Sequence, residues 1–224
     1  MNVYSPNMLK TYQSCPKKYC FRYIENINVP QSELPFEKGK KIHALANYNL
    51  QGIKIDRLEG ALNDNERTVW EKLKQNPYYN KEYFKSEFAL NCFLSCSSEC
   101  AEKNRFCIGG RIDAVVKEGE NYFILDYKTG AAPKNAKYDF QTMVYLLCMD
   151  SYLKDYAKLA FVYIDLKNNI ETVIEFSKEL GIEYEKKIIE TVAKIESDSV
   201  FECNHGNCKF CEYSKICRSS DFLL

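Results

Sequence analysis

Two carboxylates and an amine stand close together in the middle of this 224-residue chain. In GGRIDAVVKEGENYFILDYKTG, Asp113 falls in one run of β-forming residues, and Asp126 and Lys128 fall in the next. Residues two apart on a strand share a face, so Asp126 and Lys128 point together and Tyr127 points the other way. An antiparallel hairpin would set Asp113 beside Asp126. Paired carboxylates at a strand end offer oxygen ligands to a hard cation such as Mg2+ or Mn2+, with positions left open for water. A neighbouring ammonium can orient or help deprotonate that water and offset the charge that builds at phosphorus. Phosphodiester hydrolysis needs those parts. An isolated Asp-x-Lys is ordinarily a solvated pair on a strand edge. Here Asp126 follows the apolar run Tyr122 to Leu125 and precedes Thr129-Gly130, where a buried strand comes out at a sheet edge. Gly109-Gly110 removes side chains ahead of Asp113, where a backbone or ligand could approach closely.

Cysteine supplies the second constellation. The chain has eleven, an odd number that cannot all pair as disulfides. Cys208, Cys211 and Cys217 follow a Cys-x2-Cys-x5-Cys spacing at one end, and Cys15 precedes Pro16 at the other. Four thiolates satisfy a [4Fe-4S] cluster. Cys20 could stand in for Cys15. Zinc is the competing reading, because Cys203, His205, Cys208 and Cys211 are four zinc-type ligands in nine residues. That set leaves Cys15 and Cys217 without a role. Cys92, Cys96, Cys100 and Cys107 form a further group that reads either as buried or loop thiols or as a second metal site.

Lys+Arg and Asp+Glu both number 31, so no global positive field draws the protein to nucleic acid and any contact must come from a local patch. Lys38, Lys40 and Lys41, with Lys134 and Lys137, are the candidates for it. Hydrophobic residues make up 46% of the chain, enough for a core. No run approaches the roughly 20 apolar residues of a membrane span, and MNVYSPNMLKTYQ lacks the order of a signal peptide. A cytoplasmic protein without a membrane partner is expected.

The elements that must position these residues follow from periodicity. Ser5-Pro6 opens a short helix carrying Leu9, Tyr12 and Gln13, and Pro16 marks a break or a second start. Helices are expected at 36–50, with Ile42, Leu45, Ala46 and Asn49 on one face, and at 58–75. Three strands follow, in EYFKSEFAL, FCIGGRIDAVV and YFILDYKT, arranged as a meander. A helix at 138–153 comes next, then strands LAFVYIDL and IETVIEFS about an Asn168-Asn169 turn, then a helix at 178–197. No linker or repeat divides the chain, and the order suits a single α/β domain with a mixed sheet flanked by helices.

YSPNMLKTYQSCPKKYCFRYI, GKKIHALA, GGRIDAVV, DYKTG, QTMVY and CKFCEYSKIC together resemble the RecB-like PD-(D/E)XK nucleases over almost the whole chain. The resemblance implies a restriction-endonuclease-like mixed sheet over residues 1–224, with segments 1–24 and 198–224 joined by an iron–sulfur cluster. It implies Mg2+ or Mn2+ held by His43, Asp113, Asp126 and Tyr127, with Lys128 as the catalytic lysine. Gln141 and Tyr145, four apart and so on one helical face, would position Lys128 and the DNA backbone instead of serving only as packing. Glu87 would be a supporting carboxylate or a surface residue. Cys15, Cys208, Cys211 and Cys217 would hold [4Fe-4S]. The implied activity is an exonuclease on single-stranded DNA or frayed ends, partnered by CRISPR-adaptation or repair proteins. The alternative is a nuclease-like DNA-end binder, non-catalytic, within a larger complex.

Overall fold

The computed structural model describes residues 3–29, 34–95 and 105–220, and of residues 34–38, 210 and 218–220 the backbone alone. A two-residue strand, β1 (Val3–Tyr4), leads into α1 (Pro6–Ser14). Ser5 caps this helix by accepting from the Met8 amide, and Pro6 occupies its first turn, where a missing N–H costs nothing. The helix stops because Cys15 precedes proline and is driven to an extended conformation, φ −164° and ψ 111°. Pro16 then starts α2 (Pro16–Tyr19), and a π-helical turn continues to Ile24.

Helix α3 (Leu34–Leu50) is the one expected near 36–50. The single helix expected over 58–75 is instead two, α4 (Asp56–Gly60) and α5 (Asp64–Lys74). Between them Asn63 forms a capping box with Glu66, each side chain taking the other's backbone N–H, and this restarts the helix.

Among the described residues, six strands form one mixed sheet. β2 (Glu82–Ser95) pairs antiparallel along the length of β3 (Arg105–Glu118). The other edge of β3 is shared. β1 lies parallel at Cys107–Ile108, while β4 (Asn121–Lys128) lies antiparallel from Ala114 to Glu118. Residues 109–113 therefore have no strand partner on that edge, which is where the sheet opens. Gly119, at φ 61°, makes the tight turn of the β3–β4 hairpin. α6 (Phe140–Leu153) crosses over to β5 (Lys158–Asp165), which runs parallel to β4, and β6 (Ile170–Glu175) returns antiparallel about Asn169 at φ 57°. The two-residue β1 was not foreseen, being too short to carry a period.

Apolar residues of both sheet faces are covered. On one, Ile108, Ile112, Val115, Ile124 and Phe161 pack with α1, α6 and α7 (Lys178–Ser197). On the other, Ala114, Val116, Phe123, Leu125 and Tyr127 pack with α3 and α5 through Ile42, Leu45, Trp70 and Leu73. The face that β3 presents to each core changes at Asp113, between Ile112 and Ala114. α6 is apolar nearly all round and correspondingly buried along its length. Two hydroxyls tie the amino-terminal segment to the end of α7: Tyr4 donates to Glu196 at 3.1 Å and Tyr12 to Asp198 at 2.8 Å. The last helix, α8 (Ser214–Ser220), completes a small third cluster, in which Phe21, Tyr213 and Cys217 meet. Among the described residues no helix is long and apolar enough to cross a membrane.

Candidate active site and chain-end cysteine cavity

The hairpin brings Asp113 and Asp126 together as alternation required. The last ladder pair is Ala114 with Leu125, so the next step places the two aspartates opposite each other where pairing ends. Asp126 and Lys128 share a face, with Lys128 Nζ 2.7 Å from Asp126 Oδ2. Gln141, on the first turn of α6, bridges both: its Nε2 donates to Asp126 Oδ1 and its Oε1 accepts from Lys128 at 3.3 Å. The helix start that aims Gln141 is set by Asp139, which caps α6 and accepts from the Gln141 amide at 2.8 Å.

His43 reaches the same place from α3. Its Nδ1 lies 3.2 Å from Asp113 Oδ1, and its Nε2 lies 3.1 Å from the Tyr127 carbonyl oxygen. The Tyr127 amide donates to Asp113 Oδ2 at 3.2 Å. Tyr127 therefore offers the site its backbone, while its phenol is buried in the opposite core, without a hydrogen-bond partner among the described residues. Ligand atoms of His43, Glu87 and Asp113 lie within 4.8 Å of one another. Glu87, on β2 in the left-handed region at φ 46°, neighbours Asp113 of β3 and pairs with Arg111 at 3.4 Å.

Electrostatics follow from burial. Burial pushes the Asp126 carboxyl above its usual range and the charge of Asp113 adds to this, while Lys128 and His43 pull against it. Burial alone would lower His43. The hydrogen bond and charge of Asp113, the charge of Asp126 and the Tyr127 carbonyl outweigh it, so the imidazole ends above the ordinary histidine value. The Asp126 shift thus reflects burial beside a second carboxylate, and the His43 shift the carboxylates gathered round its ring. An imidazole, two or three carboxylates and a main-chain carbonyl are a suitable donor set for Mg2+ or Mn2+.

Tyr145, one turn beyond Gln141, donates to the Arg111 carbonyl at 2.9 Å on the unpartnered edge of β3. This explains Gly110, because a Cβ there would fall 2.7 Å from the Tyr145 hydroxyl oxygen. The residues predicted for cation binding and catalysis, His43, Asp113, Asp126, Tyr127, Lys128, Gln141 and Tyr145, line one open cleft of about 810 Å³. The start of α1, Ser5 to Asn7, lines it too, as do Asn47 and Tyr48, none of which the sequence marked out. Only the N-cap pattern at Ser5-Pro6 was visible there, and it spoke of a helix start alone.

The expected lysine patch is not assembled at the cleft. Lys40 lines it, but Lys41 turns to Glu66 at 3.0 Å, and Lys134 and Lys137 line a separate surface groove beside β6. Lys38 lies outside the residues whose side chains are described. A helix carries successive side chains round its axis, so adjacent lysines diverge. Arg111 joins Lys40 and Lys128 at the cleft instead.

The two chain ends meet at a second cavity of about 330 Å³, lined by Cys15, Cys203, Cys208, Cys211 and Cys217 with Lys17 and Lys18 beside them. The Asn204 amide donates to Cys15 Sγ at 3.3 Å, and the Asn204 and Asn207 side chains donate to the Ser14 carbonyl at 3.0 and 2.7 Å. Cys20 is not in this set. Its thiol meets Glu25 at 3.3 Å, and burial, with that carboxylate, pushes it up to about 11. Cys203, His205 and Cys208 are near enough to share one ion, with His205 exposed. Of the central group, Cys92 and Cys107 are buried in the sheet with Cys148, whose Sγ lies 3.3 Å from that of Cys92. Cys96 and Cys100 lie outside the described residues.

Comparison with known proteins agrees with the fold. No curated protein matches the chain. The solved structure of SSO0001 aligns at 16% identity and a TM-score of 0.47, over 97% of this chain and 86% of that one. A protein of Eubacterium rectale, provisionally assigned as an exonuclease, aligns at 10% identity and a TM-score of 0.53, over 95% and 86%. The family model for the PD-(D/E)XK nuclease superfamily matches residues 3–218, and the chain belongs to that superfamily.

Proposed function

We propose that this chain is a divalent-metal-dependent DNA exonuclease of the RecB-like branch, acting on single-stranded DNA or frayed ends. The observation that carries the reading is the meeting of His43, Asp113, Asp126, Lys128 and Gln141 in one cleft, from two helices and two strands. His43, Asp113, Asp126 and the Tyr127 carbonyl would hold Mg2+ or Mn2+, with Glu87 at hand as a further carboxylate. The ion supplies Lewis acidity and a water of lowered pKa. Lys128, held by Asp126 and Gln141, would orient that water and offset charge on the phosphate, and Arg111 and Lys40 would receive the DNA backbone. Tyr145 holds the β3 edge in place beneath the substrate. The assignment of the Eubacterium rectale protein points to the same class of reaction.

In the same proposal the chain is one nuclease domain whose ends, 1–24 and 198–224, are joined by a [4Fe-4S] cluster on Cys15, Cys208, Cys211 and Cys217. Convergence of those thiols on one cavity supports it, as does the Asn204 N–H directed at Cys15 Sγ and the charge of Lys17 beside them, Lys18 being paired with Glu212 at 2.8 Å. Zinc on Cys203, His205 and Cys208 would leave the thiols of Cys15 and Cys217 packed unused beside it. A cytoplasmic enzyme working with CRISPR-adaptation or repair proteins is the setting proposed. The test is digestion of 5′- and 3′-end-labelled single-stranded and duplex DNA with Mn2+, beside Asp126→Ala and Lys128→Ala proteins. Cleavage lost in both variants is expected. Undiminished cleavage removes the mechanism, and binding of ends without cleavage by any divalent ion favours the non-catalytic DNA-end binder.

A further inference from the structure

The chain-end cavity holds one thiol more than a four-ligand centre needs. Cys203 stands between two of the others, its Sγ 3.7 Å from Cys208 Sγ and 3.6 Å from Cys217 Sγ. The local backbone puts it there. Residues His205–Phe210 form a tight 3-10 turn that curls Cys208 back beneath Cys203, and Asn204 caps this turn by accepting from the Gly206 amide at 3.2 Å. The same asparagine is tied to Cys15 and Ser14 on the other side, so Cys203 is held beside Cys208 and Cys217 by a neighbour anchored to both chain ends.

We propose that Cys203 is a substitute ligand of the chain-end iron–sulfur centre, able to take the coordination position of Cys208 or Cys217. In the exchange Cys203 gives up its proton and forms a bond to iron as the bond from the departing thiolate breaks, and that sulfur takes up a proton. No electron is gained or lost. A soft thiolate already in contact with two ligand sulfurs needs little movement to replace either. The inference rests on the iron–sulfur reading above and adds a fifth, interchangeable ligand to it.

The experiment uses the full chain, purified and reconstituted anaerobically with Fe2+ and sulfide. Iron per chain and the visible charge-transfer absorption are measured for the unaltered protein, Cys203→Ala, Cys208→Ala and Cys217→Ala, and for the double variants that add Cys203→Ala to each of the last two. Expected is full iron in Cys203→Ala, at least half of the unaltered level in Cys208→Ala and Cys217→Ala, and a fall of tenfold or more in both doubles. Iron in the unaltered protein but none in Cys208→Ala and Cys217→Ala overturns the proposal and leaves the cluster reading standing. Doubles that keep their iron overturn it as well. An unaltered protein that binds no iron removes both. A second measurement avoids the variants: diamide, which takes two protons and two electrons from a thiol pair, is applied to the metal-free chain and the peptides are mapped. A disulfide from Cys203 to Cys208 or Cys217 is expected, and its absence overturns the placement of Cys203.

Discussion

His43 and Asp113 meet with Nδ1 and Oδ1 3.2 Å apart, one carried by α3 on the face of the sheet and the other by the strand that the helix covers. Because both also contact Tyr127, through its carbonyl oxygen and its amide, the pair is pinned to β4 as well. Helix, strand and hairpin thus share one small set of polar contacts, and most of the consequences below start from it.

The pH dependence of this pair is a direct check. His43 is raised above the ordinary histidine value, so in the metal-free protein its charged pair with Asp113 contributes stability that is fully present below the unfolded value of about 6.5. That contribution is lost as pH rises through the folded value. Metal binding needs the neutral ring and runs the other way, with Mn2+ affinity expected to fall about tenfold per pH unit below the folded value. NMR titration of the His43 ring and Mn2+ binding, each followed from about pH 5 to about pH 9, read both. His43→Asn should flatten the two curves.

Lys128 and Gln141 should separate chemistry from positioning. Lys128→Ala removes the ammonium at the reacting centre, and kcat is expected to fall about 100- to 1000-fold. Gln141→Ala frees Lys128 and Asp126 from their bridge and is expected to cost about 10- to 100-fold. Single-turnover cleavage of end-labelled DNA measures both, and equal effects would show that Gln141 does more than hold its neighbours.

Gly110 and Tyr145 should be coupled in stability. Gly110→Ala drives a methyl group into the Tyr145 hydroxyl, 2.7 Å from where Cβ must lie, and is expected to cost about 1–3 kcal/mol. Tyr145→Phe removes that oxygen and its bond to Arg111. Urea unfolding of the two single variants and the double should show the double costing less than their sum.

The tie between Tyr12 and Asp198 should weaken in acid. The Phe201 amide and the Tyr12 hydroxyl hold the Asp198 carboxyl below its usual range. Its contribution is present above the unfolded value near 3.9 and is lost as pH falls through the folded one. Asp198 is half-buried at the surface, and solvent screening keeps the effect below about 1 kcal/mol. Thermal unfolding of Tyr12→Phe against the unaltered chain, at pH 7 and at a pH near 3, should show a smaller difference in acid.

Removal of metal from the chain-end cavity should loosen the contacts that join Ser14 to Asn204 and Asn207. A ligand that binds only the folded state adds to its stability, so anaerobic chelation is expected to lower the melting temperature and expose segment 198–220 to protease first. An unchanged digestion pattern would mean that α1 and α7 hold the ends together unaided.

What could be read without the structure was local. Asp113, Asp126 and Lys128 were legible because a period of two and a short hairpin leave little freedom in where their side chains go. Cys208, Cys211 and Cys217 were legible as a spacing, and the apolar runs of β4 and β5 as buried strands. The break between α4 and α5 was missed because Asn63 acts through a cap, and the fate of the lysines was missed because Lys41 turns to Glu66, distant in sequence, while Lys134 and Lys137 fall on a different groove.

Residue type and spacing alone thus determined the chemistry on offer: carboxylates with an amine at a strand end, and thiols in numbers that suit a metal. Only the tertiary structure decided which groups meet. It brought His43 and Gln141 to the aspartates, lined the cleft with the start of α1, put Cys203 among the chain-end thiols and turned Cys20 away to Glu25. The reason is physical: backbone periodicity fixes a side chain's direction within its own element, whereas contacts between elements depend on how both sheet faces bury their apolar surface, a property of the whole chain.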